Sequence, residues 1–235
     1  MLLATNAKLQ KSTPETESFL LAGLTLAPHG LSGFEVCNGA SAGCRSSCNM
    51  WFSGLRVTPQ ARYRAVGLTR WLLEDRDSFL RQLHRDIARH VRRAEQAQLR
   101  PIIRLNMASD LDWLEVIERW PCTTFIDYTK IRSRFEKYLR RDLPENYFLT
   151  FSRHEKHKRT LLLKLLNAGG NVAQVFEKAE LPQTANIGPQ KFPVVDGDRH
   201  DVRLPEIDGS GVIVGLRLKG TNASKQKAKL SGFAS

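Results

Sequence analysis

Cysteine is scarce in this chain, four in 235 residues. That scarcity excludes a disulfide scaffold, which packs cysteines densely into small secreted domains. Long apolar runs are missing too. None approaches the ~20 residues of a membrane span, and the start, Met1-Leu-Leu-Ala-Thr-Asn-Ala-Lys-Leu-Gln10, lacks the basic and apolar regions of a secretory signal. The chain is therefore expected in the cytoplasm, without a membrane partner and with its thiols reduced. Acidic residues are outnumbered, 24 against 36 basic ones, which leaves a formal net charge of +12 and a pI near 9.9. Such a field attracts polyanions, and nucleic acid is the expected partner. No Walker loop, Gly-x-Gly-x-x-Gly fingerprint or Gly-x-Ser-x-Gly elbow occurs. The usual nucleotide-hydrolysing, dinucleotide-binding and serine-hydrolase readings fall away with them.

Against that background, three of the four cysteines fall within twelve residues, Cys37-Asn-Gly-Ala-Ser-Ala-Gly-Cys44-Arg-Ser-Ser-Cys48. Small, flexible neighbours let several thiolates converge on one centre. Structural zinc usually uses paired Cys-x2-Cys knuckles and four protein ligands. Three close cysteines without a second pair suit an iron-sulfur cluster with one iron left for another ligand. Cys37, Cys44 and Cys48 are thus the candidate cluster and metal ligands, with 4Fe-4S as the expected cofactor; a zinc site and ordinary or redox thiols are the alternatives. Cys122 begins a predicted strand, roughly 17 Å from the strand's far end at about 3.3 Å per residue. It reads as a buried structural cysteine rather than a fourth ligand.

Residues 1–18 read as a flexible N-terminal segment, 19–218 as one α/β domain with the cysteine loop at 37–48, and 219–235 as a basic C-terminal tail. Thr58-Pro59 predicts a helix reaching about Glu74, since proline is favoured at the first helical position. A second helix opens at Asp77 or Ser78, with Phe79, Leu80, Leu83, Ile87, Val91 and Ala94 at helical spacing. Further on, β-rich runs at Ile102–Asn106, Thr123–Tyr128, Tyr147–Ser152, Val172–Phe176 and Val212–Leu216 are mostly separated by helical segments at Asp112–Arg119, Ile131–Arg140 and Glu155–Asn167. Parallel βα units follow, and a partial or closed βα barrel with outer helices is the economical architecture.

In such a fold the residues after each strand gather at one mouth. Asn106, Ser109 and Asp110 follow one run, Asp127, Tyr128 and Lys130 another, and these six are the candidate catalytic residues; Ser152 and His154 follow a third. The cysteine loop, coming after the first strand, opens at the same mouth. Basic side chains cluster in three places: Arg81, Arg85, Arg89, Arg92 and Arg93 on the long helix, Lys156, Lys158 and Arg159, and Lys219, Lys225, Lys227 and Lys229 in the tail. They are the candidate nucleic-acid contacts. Asp196-Gly-Asp-Arg-His-Asp201 can bind a divalent metal or supply an acid/base pair, and is equally a solvated turn. His154 and His157, lacking a third ligand nearby, read as surface residues of the basic patch.

Leu31-Ser-Gly-Phe-Glu-Val-Cys37 through Cys44 and Cys48, Arg104-Leu-Asn-Met-Ala-Ser-Asp110, Asp127-Tyr-Thr-Lys-Ile131, Leu149-Thr-Phe-Ser152, Asp196–Asp201 and Gly211-Val-Ile-Val-Gly-Leu-Arg-Leu-Lys219 occur in an order that resembles the gene product 88 family of phages and plasmids. The resemblance runs from about residue 20 almost to the end. It implies a bacterial host and brings little mechanism. The Cys-x6-Cys-x3-Cys spacing with Ser109-Asp110 is similar, more weakly, to radical-SAM-like phage proteins with a three-cysteine loop. That likeness implies a partial βα barrel holding a four-iron cluster on Cys37, Cys44 and Cys48, with S-adenosylmethionine at the open iron. The chain departs from the usual Cys-x3-Cys-x2-Cys loop and has no clear glycine-rich segment after its second strand.

Two functions compete on this reading. In one, the protein uses the cluster as a structural or redox element and binds single-stranded DNA through its basic helices and aromatics such as Trp51, Phe52 and Tyr63. In the other it is a radical-SAM-like enzyme modifying a nucleic acid or protein. Binding stands slightly ahead, because the radical-SAM signature is incomplete.

Overall fold

The computed structural model describes residues 1–5, 9, 11, 13–52 and 58–234. Its centre is a sheet of eight strands, in chain order β1 (Phe19–Gly23), β2 (Arg100–Arg104), β3 (Thr124–Thr129), β4 (Tyr147–Ser152), β5 (Val172–Phe176), β6 (Thr184–Ile187), β7 (Gln190–Asp196) and β8 (Ile213–Arg217). In space they run β1-β2-β3-β4-β5-β8-β7-β6. Every neighbouring pair is parallel except the β6–β7 hairpin. The fold is therefore a mixed α/β sheet with flanking helices. Among the described residues the sheet does not close into a barrel: after β5 the chain turns through the hairpin, β8 then inserts between β5 and β7, and β1 and β6 are left as the two ends of the strand order.

Helices α1 (Ala42–Ser46) and α2 (Asn49–Phe52) belong to the cysteine loop; α3 (Pro59–Glu74) and α4 (Arg76–Gln96) complete the crossover to β2. Pro59 opens α3 after Thr58, as the sequence predicts, and the Asp75 carboxylate caps α4 by accepting the Ser78 N–H at 3.2 Å. Shorter crossovers use α5 (Leu114–Ile117), α6 (Arg132–Leu139) and α7 (Arg159–Asn167); α8 (Pro205–Asp208) precedes β8 and α9 (Asn222–Ser231) follows it.

Strand alternation sorts side chains onto two faces. One face, with Ile103, Phe125, Leu149 and Phe151, packs against Leu72, Phe79, Leu83, Ile87, Trp113, Phe135 and Leu165 of the helices and their loops. Burying each large apolar side chain there contributes about 1.5–3 kcal/mol. The other face starts apolar, with Phe19, Leu21, Ile102 and Ile126 covered by Leu9, Val202 and Leu204. Toward the strand ends it becomes polar, at Arg104, Tyr128 and Ser152.

The chain ends depart from expectation. Leu2 and Leu3 are buried in the core, and Ala4 exchanges two backbone hydrogen bonds with Gly23 on the β1 edge. The segment expected as a basic tail folds into α9, which packs on α1 and sends Ala234 to a bridge with Val175. Cys122 is exposed, not buried. It precedes β3, in the turn where Thr123 N–H reaches back to the Trp120 carbonyl, and not within the strand.

Candidate cysteine-lined pocket

The three clustered cysteines line one pocket of about 260 Å³ at the C-terminal ends of the strands. Asn106, Ser109, Asp110, Tyr128 and Lys130 line it with them. Asp127, the sixth candidate, does not. It points to the helical side, 1% exposed, and its carboxylate accepts Asn106 N–H at 2.7 Å, Asn106 Nδ2 at 3.2 Å and Tyr147 Oη at 3.3 Å. Burial pushes that carboxyl up to about 7, against those hydrogen bonds and Arg104.

The cysteine loop is held by chain segments distant in sequence. The Glu155 carboxylate accepts Ser41 Oγ at 2.7 Å and Gly43 N–H at 3.0 Å. Burial alone would raise the Glu155 carboxyl, but hydrogen bonds from Ser41, its own backbone and Gly43 hold it below the ordinary value. A Cβ at position 43 would stand 2.8 Å from both Glu155 Oε2 and Ser231 Oγ, so glycine lets the loop seat between the β4–α7 turn and α9. At position 39 a Cβ would meet Lys130 Cβ at 2.7 Å. Each contact draws the loop onto the mouth of the sheet.

Backbone amides point at the sulfurs. Cys37 Sγ accepts the His29 N–H at 3.1 Å and donates to the Ala108 carbonyl at 3.3 Å; His29 is held at φ +40°. Burial pushes the Cys37 thiol up to about 12, opposed by that amide and reinforced by Cys48 and Cys44. Burial likewise raises Cys48, opposed by the Trp51 and Met50 amides. Three soft donors on one wall, two of them receiving backbone N–H groups, fit an iron-sulfur cluster, whose sulfurs take such hydrogen bonds. Among the described residues no three His, Cys, Asp or Glu side chains are grouped to hold a single metal ion. Cys37, Cys44 and Cys48 line one pocket without forming such a group.

The other candidates divide by role. Asn106 is a hub: its Oδ1 accepts Ser109 Oγ at 2.8 Å, Leu111 N–H at 2.9 Å and Trp113 Nε1 at 3.3 Å, fixing the β2–α5 loop. Asp110 accepts Thr129 Oγ1 at 2.9 Å, Lys130 N–H at 2.8 Å and Arg134 at 2.6 Å. Lys130 is left facing the pocket, its ammonium donating to Ser152 Oγ and lying 5.9 Å from the Phe233 ring centroid. Among the described residues it has no carboxylate partner.

Sequence reasoning missed the far wall. Arg104 lies under it, giving one guanidinium nitrogen to both Asp201 oxygens at 3.1 and 2.8 Å and stacking 4.6 Å over Tyr128. Arg104 Nε and Tyr128 Oη are buried without a hydrogen-bond partner. An arginine inside the apolar run Ile102–Leu105 was the available signal. The Asp196–Asp201 segment is a turn held by ion pairs rather than an open one: Arg217 forks onto Asp196 at 2.8 and 2.9 Å, Lys219 pairs with Asp198, and Asp201 is fully buried. Asp198, Arg217, Lys219 and Phe233 all reach the pocket.

His154 and His157 are also less open than expected. Their rings stack with centroids 3.5 Å apart, and His154 is buried. Of the expected nucleic-acid contacts, Arg81, Arg85, Arg89, Arg92 and Arg93 are exposed on α4, while Lys156, Lys158 and Arg159 are exposed where α7 begins. Lys227 and Lys229 are exposed on α9, where Lys229 pairs with Glu177 at 3.2 Å, and Lys225 is half-buried. Arg62 lies between Trp51 and Tyr63, 5.6 and 5.5 Å from their ring centroids.

Fold and site define an α/β protein whose parallel strands end at a cysteine-lined pocket. The sequence profile of the gene product 88 family matches residues 1–233, and the chain belongs to that family. No curated protein and no solved structure matches it, and the likeness to radical-SAM-like proteins gains no support from these comparisons. No helix among the described residues is long and apolar enough to cross a membrane.

Proposed function

We propose that Cys37, Cys44 and Cys48 hold a 4Fe-4S cluster at the pocket wall, and that the pocket beside it receives a small ligand or the reacting part of a single-stranded nucleic acid. The observation that carries this reading is the meeting of all three thiols with the strand ends around one 260 Å³ pocket. A protein that used its cluster only to pin a loop would not need that pocket. Three protein thiolates would leave one iron for another ligand, and Lys130 and Ser109 line the same pocket.

A second reading takes S-adenosylmethionine as the ligand: Lys130, a lining cation without a carboxylate partner among the described residues, suits its carboxylate.

Anaerobic purification with iron and sulfide analysis and a visible spectrum tests the first claim. About four irons and four sulfides per chain are expected, lost in Cys37→Ala, Cys44→Ala and Cys48→Ala and kept in Cys122→Ala. Failure of the wild-type protein to take up iron and sulfide on anaerobic reconstitution would overturn it. Retention of S-adenosylmethionine by the loaded protein, absent from the cysteine variants, is the outcome expected of the second reading.

A further inference from the structure

The loop of residues 153–158 between β4 and α7 has two working sides. On one, Glu155 grips the cysteine loop. On the other, Lys156, His157 and Lys158 join Arg132, Thr160 and Lys164 around a second hollow, of about 360 Å³. Among the described residues no acidic side chain lines it. Glu136 lies behind, accepting Arg132 Nε at 3.0 Å and Lys164 Nζ at 3.2 Å, and so steadies two of the cations. Lys156 and Lys158 are exposed and have no carboxylate partner among the described residues. His157 Nδ1 accepts the His154 N–H at 3.2 Å, which puts the ring proton on Nε2. Burial, His154 and Lys130 push His157 down to about 4, so at neutral pH it is an uncharged N–H donor. Two exposed lysines, two cations shared with Glu136, a ring N–H and the Thr160 hydroxyl make a net positive donor set that suits phosphate.

We propose that this hollow seats backbone phosphates of a single-stranded nucleic acid and leads the strand into the cysteine pocket. The proposal rests on the reading of that pocket as the reacting site. Continuity favours a strand over a free phosphate: Lys130 lines the pocket and Arg132 the hollow, two residues apart, and Ser152 lines the pocket at the start of the loop that supplies Lys156. The α4 arginines do not belong to this track. α4 ends at Gln96 and a short turn brings the chain to Arg100 at the start of β2, so Arg92 and Arg93 lie toward the strand-start edge of the sheet, opposite the pocket.

Fluorescence anisotropy of a short labelled oligothymidylate with the full chain tests the track. The double variant Lys156→Gln/Lys158→Gln is expected to bind about tenfold more weakly and to lower the slope of log affinity against log salt by about 1–2, while Arg92→Gln/Arg93→Gln stays within about twofold of wild type. Equal losses in both variants would overturn the track in favour of a diffuse basic field. Unchanged binding, or no binding by the wild type, would also overturn it and leave the hollow to an acidic protein. Displacement of the oligonucleotide by inorganic phosphate at an equal phosphate concentration would reduce the hollow to a single-anion site and overturn the strand. Iron and sulfide content, measured on the same samples, separates this proposal from the cluster reading: oligonucleotide binding at the hollow without cluster uptake would refute the latter alone.

Discussion

One face of the sheet carries two contrasting halves. At the strand starts, Phe19, Leu21, Ile102 and Ile126 lie under Val202 and Leu204 in a purely apolar cluster. A few residues further along the same strands, Arg104, Tyr128 and Lys130 meet cysteines, with polar atoms of Arg104 and Tyr128 left unpaired. The first half is what a stable core requires. The second gathers groups that cost stability when buried, which is where a ligand site is expected.

The largest effect should come from breaking the charged end. Asp201→Ala leaves Arg104 buried without its carboxylate, and a loss of about 3–5 kcal/mol is expected in urea unfolding. A loss below ~1 kcal/mol would mean that Arg104 reaches another partner or water. The apolar end offers the matching control. Ile126→Ala should cost about 2–5 kcal/mol through its cavity, yet leave cluster uptake per folded chain unchanged. Loss of iron there would erase the distinction between the halves.

Gly43→Ala sharpens the comparison from the loop side. Its methyl would press on Glu155 and Ser231, loosening the cysteine loop with little effect on the sheet. Iron retention should fall by about half or more while the unfolding midpoint shifts by less than the ~2 kcal/mol of a core cavity. Glu155→Gln should do the same more mildly, since an amide can still accept one of the two hydrogen bonds.

Much of the parallel half was readable from sequence, because its signals are local. Thr58-Pro59 marks the start of α3, and the runs 147–152 and 172–176 appear as β4 and β5. The cysteine loop reaches the strand-end mouth because it directly follows β1. The β6–β7 hairpin escaped notice: Thr184–Ile187 has one buried residue and no alternation, and Pro193 sits inside β7. α9 looked like a tail because only Ser224 and Ala228 of it are buried. The far pocket wall depends on pairings no local pattern announces, such as Arg104 with Asp201, 97 residues apart.

Protonation gives the last and smallest test, of carboxyl groups buried outside the pocket. Asp127 rises from 3.8 to about 7 and Asp208 from 3.8 to about 6, both chiefly through burial. Between 3.8 and these values the folded chain binds more protons than the unfolded one, so their stabilisation is full below pH 3.8 and is lost as pH climbs through 6 to 7. His157 and His200 act oppositely. Burial lowers both from 6.5 to about 4, so their contribution is full above pH 6.5 and is lost as pH falls through 4. Asp127→Asn removes the largest carboxyl contribution and keeps the histidines. Its unfolding free energy should therefore decline less than that of wild type as pH rises from 4 to 7, with the acid-side decline retained. Parallel pH profiles for the two proteins would mean that Asp127 stays ionised, held by Asn106 and Tyr147.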